Sequence, residues 1–74
     1  MNLEDRVLDI MRQVFEQDNI STDVSQKNCV RWDSLHHLTL ASELEDAFDI
    51  ELEPEEIAEM IDFQHVIQLL NNKV

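Results

Sequence analysis

Apolar residues at Leu3, Val7, Ile10, Met11 and Val14 recur at helical spacing, with Leu8 and Phe15 on one border of the stripe and Asp5, Asp9, Arg12, Gln13 and Glu16 opposite. The spacing predicts an amphipathic helix with Asn2 as N-cap and Glu4 and Asp5 in its first turn, where acidic groups suit the positive dipole end. From about residue 17 to 32 the pattern dissolves into Asp, Asn, Ser and Thr, with single apolar residues at Ile20, Val24, Val30 and Trp32. These predict a long ordered loop pinned across a helix bundle, since structureless connections of that length are uncommon unless functional. A second helix is expected from about Ser34 to Phe48. Leu38, Leu40, Ala41, Leu44, Ala47 and Phe48 cover roughly half its circumference at about 100° per residue, as in a central bundle element.

Pro54 followed by Glu55 and Glu56 signals a helix start, because proline at the first helical position sacrifices no hydrogen bond. Ile57, Met60 and Ile61 then predict one short helix. Asp62 caps a last helix striped by Phe63, Val66, Ile67, Leu69 and Leu70. No strand-like alternation, repeat or low-complexity segment interrupts this pattern. The expected class is all-α: a small four-helix bundle with a long loop between helices 1 and 2 and a short third helix, forming a single domain over residues 1–74.

Size and charge narrow the function. A chain of 74 residues buries only about 60% of the surface its unfolded form exposes, so an internal catalytic cleft is hard to fit. The formal charge of -12 sits on a chain that is still 43% hydrophobic, enough apolar content to fold. Nucleic acid and anionic lipid are repelled by such a surface, so partners are expected to present basic patches. Cys29 is the only cysteine, which excludes an intramolecular disulfide and suits a small buried hydrophobe. With no apolar run long enough for a membrane span, a cytoplasmic monomer is expected.

Candidate chemistry gathers at the start of the second helix, in Trp32-Asp33-Ser34-Leu35 followed by His36 and His37. A serine hydrolase would need its three groups aimed at one another and an oxyanion hole, whereas helix neighbours diverge and the chain has no glycine for a nucleophile elbow. Adjacent His36 and His37 point about 100° apart, and no zinc or EF-hand spacing occurs. Taken alone, Ser34 is an ordinary capping serine and Asp33 an ordinary helix cap.

Asp33-Ser34-Leu35, with Leu38 one turn on and Glu45, Asp46 and Phe48 near the helix end, resembles the attachment site of acyl carrier proteins. The resemblance continues through Phe-Asp-Ile-Glu-Leu at 48–52, Pro-Glu-Glu-Ile at 54–57 and residues 63–70. It implies that Ser34 carries a covalent 4'-phosphopantetheine arm, installed from coenzyme A by a magnesium-dependent phosphopantetheinyl transferase. The arm's thiol holds acyl groups as thioesters, and the carrier itself is not an enzyme. Asp33 and Leu35 become recognition residues, with Leu35 equally readable as a partly exposed apolar neighbour of the core. Glu45, Asp46, Glu55 and Glu56, flanked by Glu43 and Glu59, become a docking surface for acyl-loading and acyl-transfer enzymes. Leu38, Leu44, Phe48, Ile57, Met60 and Ile61 are candidate lining for an acyl cavity, or simply core.

Departures from the family pattern suggest a specialised pathway of lipid, polysaccharide or secondary metabolism. Trp32 replaces a glycine common before the motif, and His36 and Thr39 stand where many fatty-acid carriers have other residues, often acidic. His37 borders the apolar face near the arm. Two other readings remain open: an acidic helical adaptor without a prosthetic group, and an aminoacyl or peptidyl carrier.

Overall fold

The computed structural model describes residues 2–73. Among them run four helices, α1 (Leu3–Phe15), α2 (Ser34–Phe48), α3 (Pro54–Ala58) and α4 (Phe63–Lys73), and no strand beyond an isolated bridge. Local chemistry explains each start. Asn2 accepts from the Asp5 N–H at 2.8 Å, Asp33 from the His36 N–H at 2.9 Å and Asp62 from the His65 N–H at 2.8 Å, each satisfying a backbone donor that the first helical turn leaves unpaired. At α3 the Glu56 carboxylate reaches back to the Glu53 N–H at 2.8 Å, and Pro54 opens the helix. Glu16 and Asp49 end α1 and α2 in the left-handed conformation, their N–H groups bonded to Arg12 O and Glu45 O.

The core joins Val7, Met11 and Phe15 of α1 to Leu40 and Leu44 of α2, Met60 beyond α3, and Phe63, Val66 and Leu70 of α4, all fully buried. Helix α1 is turned from the expected orientation. Leu8 and Phe15, placed on the border of the stripe by periodicity, belong to the core, while Leu3, Ile10 and Val14 are half-buried. The Phe15 ring lies 5.2 Å from the Trp32 ring, so the loop draws that side of α1 inward. Met60 and Ile61 fall beyond the five-residue α3 instead of inside it.

The long loop is ordered by anchors and by a stitch. Ile20, Val24 and Trp32 are buried as expected, but Val30 is 92% exposed and Cys29 takes the inward position, its thiol donating to Gln17 Oε1 at 3.2 Å. Arg12 Nη2 holds Ile20 O at 3.0 Å. The Gln26 N–H donates to Ile61 O and the Phe63 N–H to Val24 O, both at 3.0 Å, pairing Ser25 with Asp62. Through that pairing the middle of the loop is fastened to the α3–α4 connection, beside the start of α2.

Candidate functional site

Asp33, extended at φ -94° and ψ -176°, turns the chain from the loop into α2 and leaves Ser34 as the first helical residue, exposed. The same Asp33 oxygen that accepts the His36 backbone N–H also meets His36 Nδ1 at 2.9 Å. An ionised carboxylate only accepts, so the His36 proton lies on Nδ1. The His36 backbone bond, then its side-chain bond, hold the Asp33 carboxyl below the usual carboxylate range. Asp62 and His65 repeat this arrangement at the start of α4, with Nδ1 at 2.7 Å, and Asp62 is lowered for the same reasons.

His37 faces the other way. Its Nδ1 accepts from the Trp32 Nε1–H at 2.9 Å, and its Nε2 lies 2.7 Å from Ile57 O. Gln26 Nε2 comes within 3.4 Å of the same Nδ1. Beside Ser34 these groups leave an open groove of about 490 Å³, lined by Gln26, Trp32, Asp33, Ser34, His37 and Leu38. Leu35 and Leu38 are 72% and 60% exposed, and Ile61 is exposed nearby, giving the surface around Ser34 an apolar rim. Leu38 therefore lies outside the core that its spacing implied.

The acidic candidates divide by what their carboxylates touch. Glu45 accepts the Leu52 N–H at 2.9 Å and so braces the turn between α2 and α3. Glu56 is held by the Glu53 N–H and by Lys73 Nζ at 3.0 Å, and these two contacts lower its carboxyl. Asp46 and Glu55, with Glu43 and Glu59, are exposed. The six candidate cavity residues do not share one environment. Leu44 and Met60 are fully buried, Phe48 is half-buried under the Arg6 guanidinium at 4.4 Å, Ile57 is half-buried, and Leu38 and Ile61 face outward. Gln26 went unnoticed in the sequence. Its place beside Ser34 follows from the loop stitch, which has no local signal.

An exposed hydroxyl on a capped helix start is a stable mounting point, because the backbone beneath it is fixed by Asp33 and by the His37 N–H donating to Asp33 O at 2.8 Å. The Ser34 and Leu35 N–H groups, in the first turn, lack intrahelical acceptors and suit a phosphate at that end. The residues present thus fit a phosphate-linked arm on Ser34.

No family model and no curated protein matches the sequence. Solved structures do. A holo acyl carrier protein from Geobacter metallireducens superposes with a TM-score of 0.86 at 29% identity, over 99% of this chain and 86% of that one. A candidate acyl carrier protein from Mycobacterium tuberculosis superposes with a TM-score of 0.86 at 21% identity, over 96% of this chain and 97% of that one, a likeness of fold alone. The chain has the acyl carrier protein fold, and its likeness to the Geobacter protein supports its membership of the acyl carrier protein family.

Proposed function

We propose that Ser34 receives 4'-phosphopantetheine and that the chain shuttles acyl groups, as thioesters on that arm, between enzymes of a specialised pathway. The observation that carries this reading is the exposed Ser34 hydroxyl at the first position of α2, directly after its Asp33 cap and between the exposed Leu35 and an open groove. The Geobacter protein is a holo acyl carrier protein, which supports the same modification here. In the loading step the Ser34 Oγ–P bond forms as a P–O bond of the coenzyme A diphosphate breaks. The adenosine half leaves, and the hydroxyl proton passes to the transferase. The arm supplies the thiol; this chain supplies the rigid mount and the surface that partners read.

That surface is the exposed apolar pair Leu35 and Leu38 flanked by the free carboxylates of Glu43, Asp46 and Glu55. Basic docking patches on the transferase and on acyl-handling enzymes fit it, with encounter accelerated by the charge of -12 and weakened by salt. Glu45 and Glu56 contribute to the field, while their hydrogen bonds serve the fold.

Incubation with coenzyme A, magnesium and a broad-range phosphopantetheinyl transferase, followed by intact mass measurement, tests the reading. The expected result is one phosphopantetheine increment that disappears in Ser34→Ala. No increment with several transferases refutes it and favours an acidic adaptor.

A further inference from the structure

His37 occupies an unusual junction. The Trp32 indole N–H can only donate and the Ile57 carbonyl can only accept, so the ring that joins them at 2.9 and 2.7 Å is neutral, with its proton on Nε2. One imidazole thus ties together the end of the loop, the first turn of α2 and the C-terminal end of α3. The last point matters because α3 is five residues long and contains no fully buried side chain. Its other fastenings are the half-buried Ile57 and the Glu56–Lys73 pair, which lead to the core and to α4. Among the described residues, His37 Nε2 to Ile57 O is the hydrogen bond that joins α2 to α3.

Leu44 and Met60 are fully buried, so a long alkyl chain that reaches them from Ser34 has to displace what covers them, and the α2–α3 seam that His37 crosses is one such cover. Opening the seam strands the His37 Nε2–H unless water replaces Ile57 O, whose remaining bond is from the Met60 N–H. The groove outside needs no such opening. It presents the Gln26 amide, the Asp33 carboxylate and the edges of Trp32, His37 and Leu38. Those polar groups lose hydration against an alkyl chain but can meet amide, hydroxyl or carbonyl groups.

We infer that His37 is a latch that keeps the α2–α3 seam shut, so that cargo stays in the groove beside Ser34 and short or polar acyl groups are accommodated in preference to long alkyl chains. This rests on the carrier reading, and its test separates the two. The protein, His37→Ala and His37→Gln are each loaded from octanoyl-coenzyme A and from 3-hydroxybutyryl-coenzyme A, with intact mass reporting the loading itself.

NMR spectra of each loaded form are then compared with the holo form. In the unaltered protein, either cargo shifts the Gln26 amide and Trp32 indole signals, while the Leu44 and Met60 methyl signals stay in place. In His37→Ala, octanoyl moves those methyl signals. His37→Gln, which retains a donor for Ile57 O, behaves as the unaltered protein does. Core methyl shifts on octanoyl loading of the unaltered protein, or none in His37→Ala, overturn the inference.

Failure of loading removes the cargo half together with the carrier reading, and the latch is then judged on the unmodified protein. There the Met60 amide, which donates to Ile57 O, exchanges about tenfold faster in His37→Ala than in His37→Gln. The His37 nitrogen signals also report the proton on Nε2. Equal exchange rates, or a proton on Nδ1, refute the latch.

Discussion

Leu44→Ala and Leu38→Ala form a matched pair, because the two leucines share α2 and differ mainly in where the helix points them. Leu44 is fully buried and Leu38 is 60% exposed. Truncating a fully buried leucine costs about 2–5 kcal/mol, combining lost transfer energy with the cavity left behind. Full burial of a leucine is worth about 1.5–3 kcal/mol, and Leu38 realises well under half of that, so its truncation costs about 1 kcal/mol or less. A chain of this length has a total stability of about 4–11 kcal/mol. At about 4–8 °C per kcal/mol, Leu44→Ala lowers Tm by at least about 8 °C and Leu38→Ala by only a few degrees. Urea denaturation followed by far-UV circular dichroism measures both, with the midpoint as readout. Equal losses, or a larger loss for Leu38, refute the orientation of α2 and with it the exposed rim around Ser34.

The carboxyls of Asp33, Glu56 and Asp62 are lowered in the folded state. Their contribution to stability is therefore fully present above the ordinary carboxylate range and is lost as pH falls below about 4 through the lowered values. Tm should drop over that interval, less steeply in Asp62→Asn; identical pH profiles would contradict the role of the Asp62–His65 contact. Charge repulsion at -12 predicts that Tm rises with added magnesium or salt, and a flat or falling response counts against it.

Much of this fold was legible because its helix ends carry local chemistry. Asn2, Asp33, Pro54 and Asp62 announce the four starts from residue type and position alone, and the stripe of α4 leads to its buried face. Orientation was less legible where the apolar arc is wide. Half the circumference of α2 is apolar, so periodicity could not say that Leu40, Ala41 and Leu44 face inward while Leu38 faces out; the short α3 leaves that side uncovered. Cys29 is buried as expected, whereas Val30 faces outward, because loop burial follows the path of the chain, which has no period to read. The site divides along the same line. Ser34 and its neighbours along the chain stand out in sequence, whereas two partners of His37, Gln26 and Ile57, are brought to it only by tertiary packing. Glu45 and Glu56 looked like surface charge until their backbone partners, Leu52 and Glu53, came into view.

The left-handed ends of α1 and α2 have a consequence for the unfolded chain. Glu16 and Asp49 both sit at φ 55°, where a residue other than glycine loses about 1–2 kcal/mol. Glycine would relieve that strain, yet the sequence contains none. Every position therefore bears a side-chain carbon that narrows the backbone's freedom before folding begins, an effect worth about 0.4–1 kcal/mol at each place where glycine might otherwise stand. Against a small core and a strongly repelling surface, part of the folded state's stability lies in the narrowness of the ensemble it folds from, rather than in any contact the folded chain makes.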